Sequence, residues 1–285
     1  MANLIIYSFI SGATIFIGLL LTLAGVAMRS RSPVQMVKRY ASISVVLGIL
    51  LTIATCVPYP FWIVLCEAGL VLGGLFCVFA KSEKKIRIAT YTTVVCALVI
   101  GAVELYFQRS PNIAIDGLKE LFVVGDSLSM GADPPGKNWP DLLGEKLGLT
   151  THSYSFGGAR TDTALSNAKR ITGDQGLVIL EIGGNDLLYD TPDFSNHLEL
   201  LLQEVCKGQR RVVMVEIPLP PFYMRYGTAQ RRLAAKYGVT LVPKRILASV
   251  ITSEGATTDS LHLSNTGHEM LATSFTRYFR SKPIR

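Results

Sequence analysis

The chain has 285 residues, is 49% hydrophobic and carries a formal charge of +7, which is long enough for one large domain or two modest ones. Nine of its 28 basic residues but only three of its 21 acidic ones precede residue 110, so +6 falls on the first 110 residues and +1 on the rest. That basic excess lies in short loops between apolar runs and not on one clustered face, which excludes a nucleic-acid surface. No Cys/His group has metal-ligand spacing, and Cys206 stands alone in the second half, which therefore holds no internal disulfide.

Four apolar stretches follow one another at about 4–28, 41–57, 61–80 and 88–107. Crossing a hydrocarbon core of ~30 Å takes roughly 20 helical residues. The first stretch has no basic segment before it and no small-residue cleavage site, so it reads as a retained helix and not a signal peptide. The second and third are divided by the tight turn Val57-Pro58-Tyr59-Pro60, after which Phe61-Trp62 opens the third as an interfacial aromatic belt does. Helices of a buried soluble bundle show a polar face, and these show almost none. Residues 1–110 are therefore expected to form a four-helix transmembrane region.

Loop 28–40 carries four basic residues and no acid, and loop 81–87 four with one acid, whereas the N-terminal tail and the 57–60 turn carry none. Positive loops stay in the cytoplasm. With an even number of helices, the part after residue 110 is expected to be extracytoplasmic, on the periplasmic or outer face if the source is bacterial. Two acids, Glu67 and Glu104, lie within the apolar stretches. Burial there is costly without a partner, and both are expected to be protonated or hydrogen-bonded between helices.

From 111 to 285 the pattern changes. After a linker at 108–117, β-rich runs at Leu121–Val124, Thr151–Phe156, Leu177–Ile182, Arg211–Ile217 and Thr240–Val242 alternate with amphipathic segments at 139–147, 161–170, 193–207 and 227–237, and a last helix follows at about 265–279. Such alternation predicts an α/β domain with parallel strands and helices on both faces. Runs such as Leu177-Val-Ile-Leu are apolar throughout, as strands covered on both faces must be. In these sheets a site forms outside the carboxyl ends of the strands. Gly125-Asp126-Ser127, Gly157-Gly158 and Gly183-Gly184-Asn185-Asp186 fall there, after the first three strands, and Asp259 and His262 precede the last helix.

Those residue types suit acyl transfer. A serine hydroxyl becomes a nucleophile when a base within hydrogen-bond reach takes its proton, which makes Ser127 the candidate. Asp259-Ser-Leu-His262 sets a carboxylate three residues before an imidazole, able to fix its tautomer and stabilise the imidazolium. Taken alone, Gly-Asp-Ser is equally a turn, and Asp-x-x-His equally a helix cap beside a surface histidine. His152, His197 and His268 read as structural. For the oxyanion, the suitable donors are the Ser127 N–H, the Gly158 N–H and the Asn185 side-chain amide. No metal or organic cofactor is needed.

The blocks Val124-Gly-Asp-Ser-Leu-Ser129, Gly158, Gly183-Gly-Asn-Asp186 and Asp259-Ser-Leu-His262 together resemble the four signature blocks of the SGNH (GDSL-type) hydrolases, over roughly residues 118–280. Within that superfamily the chain is most similar to the acyl-CoA thioesterase I/lysophospholipase L1 type of esterase. Trp139-Pro-Asp-Leu-Leu, Val215-Glu-Ile-Pro-Leu-Pro-Pro and Leu263-Ser-Asn-Thr-Gly-His268 support this. The resemblance implies a flavodoxin-like three-layer domain with a parallel five-stranded sheet, a Ser127–His262–Asp259 triad, and an oxyanion hole of Ser127, Gly158 and Asn185. Where Asn is frequent five residues before the oxyanion glycine, this chain has Ser153.

The implied function is a membrane-anchored serine esterase acting on carboxylic (thio)esters, with lysophospholipid or another envelope acyl ester as substrate. Two alternatives stay open: a glycan O-acetylesterase or O-acyltransferase of the envelope, and a non-catalytic membrane sensor or scaffold. A linker of about ten residues reaches at most ~33–36 Å, which keeps the site near the outer leaflet. Neither the acyl length nor the oligomeric state is legible in the chain.

Overall fold

The computed structural model describes residues 2–55, 57–58, 60–131, 137–188, 193–220, 223–259 and 262–280. The chain divides into two compact units. Ser8–Gln108 forms one, grouped with Leu219–Met224; Arg109–Pro218 and Arg225–Arg285 form the other, grouped with Met1–Tyr7.

After α1 (Ala2–Ile10), of which only residues 8–10 belong to it, the first unit is helical: α2 (Thr14–Arg31), α3 (Gln35–Ala54), α4 (Phe61–Phe79) and α5 (Glu83–Phe107). Four of these, α2 to α5, are long and apolar enough to cross a membrane. The first apolar stretch, expected as one helix over 4–28, is instead broken. Gly12 takes φ +83°, a left-handed conformation open to glycine, and the Ser11 hydroxyl accepts from Ala13 N–H at 3.3 Å. Helices α3 and α5 begin several residues before the apolar runs at 41 and 88, because a helix continues through charged residues that the hydrocarbon core excludes. Cys56 and Tyr59 lie outside the described residues.

Small residues set how close these helices come. A Cβ on Gly48 would meet the Thr22 hydroxyl at 2.4 Å and the Gly18 carbonyl at 2.6 Å, so α2 and α3 touch backbone to backbone. Arg29 on α2 donates from Nε to the Cys77 carbonyl at 2.6 Å and from Nη2 to the Val78 carbonyl, satisfying the exposed end of α4. Glu104 is fully buried and accepts from the Gln108 amide at 2.7 Å; the same amide donates to Ser11 O. Glu67 is half-buried on α4.

The second unit contains β1 (Ile113–Ala114), β2 (Glu120–Gly125), α6 (Ser127–Met130), α7 (Trp139–Leu147), β3 (Thr150–Ser153), α8 (Thr161–Ala168), β4 (Gln175–Glu181), α9 (Gly184–Leu188), α10 (Phe194–Val205), β5 (Gln209–Val215), α11 (Met224–Tyr237), β6 (Thr240–Val242), α12 (Arg245–Ile251), α13 (Asn265–Thr276) and β7 (Phe279–Arg280). The main sheet is five-stranded and parallel throughout, ordered β3-β2-β4-β5-β6. This is the expected α/β architecture. Alternate β2 residues point to opposite faces: Leu121 and Val123 join the core with Trp139, Leu143, Leu271 and Phe275, drawn from α7 and α13. Helices α8, α10 and α11 cover the other face, where Phe194 packs on Tyr226 at 4.7 Å. Strands apolar on both faces need this double cover.

The linker at 108–117 is not all free chain. Ile113–Ala114 pairs in parallel with Phe279–Arg280, and Arg245 donates to the Ser110 hydroxyl at 2.7 Å. Two-residue strands and a single side-chain contact leave no period to read. Gly267 marks a tight approach: a Cβ there would stand 2.0 Å from the Ala256 carbonyl oxygen. Because that contact is backbone, no rotamer relieves it. Gly267→Ala is expected to destabilise the unit by about 2–4 kcal/mol, read as a lowered midpoint of unfolding in detergent.

Candidate active site

The chain runs outward in both directions from β2, with β3 on one side and β4 on the other, so the switch point of the sheet lies at the carboxyl ends of β2 and β4. Ser127 directly follows the first of these ends and Asn185 follows the second. Asp126 caps α6: its Oδ1 accepts from Leu128 N–H at 2.9 Å, and its carbonyl accepts from Ser129 N–H at 3.1 Å. Those two N–H groups are occupied, and the Ser127 N–H is the remaining donor of that first turn. Ser127 itself is half-buried.

The loop after β3 is tied to the same strand end, with Tyr154 N–H donating to Val123 O at 2.7 Å and Phe156 N–H to Gly125 O at 3.3 Å. Gly158 lies in the turn that follows, exposed and at φ +74°, a conformation that L side chains rarely adopt. Gly157 has no such φ. Asn185 Nδ2 donates to Ala159 O at 3.0 Å and to Asp126 Oδ2 at 3.2 Å, so the three segments meet around one amide.

Asp186, which the sequence offers only as the end of a motif, is completely buried. It accepts from Thr161 N–H at 3.0 Å and the Thr161 hydroxyl at 2.8 Å, pinning the start of α8 to α9. Gly183 has to be glycine: φ is +118°, and a Cβ would meet Ile217 Cδ1 at 2.3 Å.

Asp259 and His262 sit on a loop closed by the antiparallel bridge Thr257↔Leu263. Asp259 Oδ2 lies 2.7 Å from His262 Nδ1, and Oδ1 accepts from His262 N–H at 2.8 Å. Their side chains are 59% and 47% exposed, so the pair is open to water. Ser260 and Leu261 lie outside the described residues. Two of the other histidines have structural partners, whereas the buried Nδ1 of His197 on α10 has no hydrogen-bond partner among the described residues. His152 meets Glu120 Oε2 at 2.6 Å. His268 Nδ1 accepts from Trp139 N–H at 3.2 Å, and burial pushes its pKa down, keeping it neutral.

Beneath Ser127 lies a group that the sequence reading passed over. Burial pushes Asp126 up to about 6, against the pull of the Leu128 N–H, the Glu181 side chain and nearby His262, while the Asp186 charge adds to the rise. Burial and the Asp126 charge raise Glu181 well above the ordinary carboxylate range, and the Ser129 hydroxyl, 2.7 Å away, opposes that. An acid ending an otherwise apolar, doubly covered strand was the available signal. Among the described residues no cluster of His, Cys, Asp or Glu is arranged to hold a metal ion.

Several solved structures are similar to this unit. TesA aligns over 56% of this chain and 97% of its own, at 26% identity and a TM-score of 0.49. The psychrotrophic esterase EstA of Pseudoalteromonas sp., in a structure inhibited by monoethylphosphonate, aligns over 56% and 96%, at 18% identity and a TM-score of 0.50. A family 3 carbohydrate esterase of Clostridium thermocellum aligns over 56% and 94%, at 18% and 0.42. The likeness to EstA is one of fold. A search of the curated proteins found no match. Residues 123–270, just over half of the chain, match the model of the GDSL-like lipase/acylhydrolase family; the chain belongs to that family and is an enzyme of the carboxylic ester hydrolase type.

Proposed function

We propose that this chain is a membrane-anchored serine esterase in which Ser127 is the nucleophile, His262 the base and Asp259 its orienting acid. The observation that carries the reading is the double contact of Asp259 with His262 at 2.7 and 2.8 Å. It fixes the Nδ1–H tautomer and leaves Nε2 for the serine proton. His262 also lies near enough to Asp126, the residue before Ser127, to favour its anion.

Ser127 Oγ attacks the ester carbonyl carbon while His262 Nε2 takes the hydroxyl proton. The oxyanion receives the Ser127 N–H, the Gly158 N–H and one N–H of Asn185. The alcohol leaves with the proton from His262. Water, deprotonated by the same nitrogen, then attacks the acyl-enzyme and releases the acid and free serine. The chain's own residues suffice for each proton and charge in this sequence, without a cofactor.

Residues 1–110 serve in this reading as the anchor and 111–285 as the hydrolase. Large apolar side chains such as Leu20, Leu47, Leu65, Leu72 and Leu98 face outward from α2 to α5, which suits lipid contact. The basic 28–40 and 81–87 loops favour a cytoplasmic side for those turns and an extracytoplasmic hydrolase. The substrates proposed are lipid-like acyl esters of the lysophospholipid kind, held near the outer leaflet. The exposure of Asp259 and His262 supports a second reading, a glycan O-acetylesterase or acyltransferase, for which an open polar cleft is the fitting shape.

Hydrolysis of p-nitrophenyl acetate, butyrate and laurate by the detergent-purified chain separates the two. The first reading predicts a kcat/KM rising with chain length, and an acetate optimum with laurate inert favours the second. Each methylene added to an apolar acyl site contributes about 1 kcal/mol, or roughly fivefold.

A further inference from the structure

Two carboxyl groups lie beneath Ser127, and the acyl-transfer steps above use neither. Gly125 of β2 is in register with Glu181 of β4, and Asp126 follows Gly125. Both acids are buried, at 3% and 4% exposure. The approach is tight enough that a Cβ on Gly125 would meet the Ser129 hydroxyl at 2.4 Å and the Glu181 carbonyl at 3.0 Å. Glu181 Oε2 accepts from the Ser129 hydroxyl at 2.7 Å, and the Asp126 charge beside it disfavours its anion.

Two buried carboxylates on neighbouring strand ends repel strongly, so one of the pair holds a proton. Burial and the neighbouring Asp126 charge disfavour the Glu181 anion, so the proton stays there. Asp126 is the member left to ionise. Its oxygens face the reaction side, Oδ1 holding Leu128 N–H at 2.9 Å and Oδ2 holding Asn185 Nδ2 at 3.2 Å. The other N–H of that amide is fixed on Ala159 O at 3.0 Å. The charged and titratable groups facing Asp126 are Glu181 from β4, Asp186 from α9 and His262 from the closing loop.

We propose that Asp126 and Glu181 are positioning residues for the reaction at Ser127: a carboxyl pair sharing one proton, whose anionic member aims the Asn185 amide into the oxyanion hole. The inference rests on the reading of Ser127 as nucleophile. With Ala159 O gripping one N–H, the amide pivots little. The longer contact to Asp126 is the one released as negative charge develops on the substrate oxygen. Protonation of Asp126 weakens that acceptor and loosens the amide, and it removes the negative charge that faces His262. The acid limb of kcat therefore carries the ionisation of the pair near 6, in addition to that of the imidazole.

The test measures kcat and KM for p-nitrophenyl butyrate across the acid limb with the full chain in detergent. Rates are divided by the number of sites that react with a fluorophosphonate, so misfolded protein is not counted. Asp126→Asn is expected to lower kcat about tenfold with KM within about twofold, and to leave a single ionisation on the acid limb. Glu181→Ala, which removes the side chain that favours the Asp126 anion, is expected to move that ionisation upward. Glu181→Gln, whose amide can still donate to Asp126, is expected to restore it. A wild-type profile with the imidazole ionisation alone, or Asp126→Asn with wild-type kcat and profile, overturns the inference while the esterase reading stands. Fluorophosphonate labelling that does not depend on Ser127 overturns the esterase reading itself, and this inference with it.

Discussion

Ser127→Ala is expected to lower kcat for p-nitrophenyl butyrate by roughly 10⁴- to 10⁶-fold, the scale on which triad nucleophiles act. The loss is chemical and not structural. Ser127 occupies the first position of α6, whose cap is supplied by Asp126 and not by the serine hydroxyl. Alanine also favours a helix more than serine does, so the unfolding midpoint is expected to stay within a degree or two of wild type (about 0.5 kcal/mol). Loss of the serine hydroxyl leaves the oxyanion donors and substrate binding intact, and they account for the residual rate. Asp259→Ala is expected to cost less than Ser127→Ala, because Asp259 is 59% exposed and its pull on the imidazolium is weakened by water.

Asn185→Ala is expected to reduce kcat by about 10²–10³-fold with KM changed less than threefold, since an oxyanion donor binds the transition state and hardly the ground state. The same change removes the bonds to Ala159 O and Asp126 Oδ2. A thermal unfolding curve taken alongside separates the two effects: the kcat loss is expected to persist at temperatures far below the unfolding transition. A variant that loses kcat only in proportion to folded protein would assign Asn185 a purely structural role.

Much of this arrangement is legible in the sequence, for physical reasons. The strands at Leu177–Leu180 and Val212–Val215 announce themselves because a doubly covered strand has no polar position to blur it. The candidates Ser127, Gly158 and Asn185 are singled out by position, because parallel sheets place their loops and glycines at one end. The four helices that are long and apolar enough for a membrane are visible by length alone. Their ends are not, since α3 starts at Gln35 and α5 at Glu83, inside the charged loops. The break at Gly12 hides because glycine also occurs in apolar helices, and only its φ of +83° distinguishes it.

Elements set by tertiary contact were not legible. The β1–β7 pair is two residues long on each side. Helix α12 is buried along Ile246, Leu247, Ala248 and Val250, so it shows no polar face to give it a period. Asp186 looks like an ordinary polar residue in the helix after β4, and Glu181 is marked only by ending an apolar strand. Their burial, and the Thr161 and Ser129 hydroxyls that meet them, come from segments distant in the chain. Pairings of that kind depend on the fold and leave no local pattern.

The central claim, that Ser127 carries out ester chemistry, is tested most directly by treating the detergent-purified chain with a fluorophosphonate and mapping the adduct by peptide mass spectrometry. The account predicts a single phosphonylated serine, Ser127, with labelling abolished in Ser127→Ala and slowed at least a hundredfold in His262→Ala, as removal of the base requires. An adduct on another serine, or none on folded protein, would contradict it.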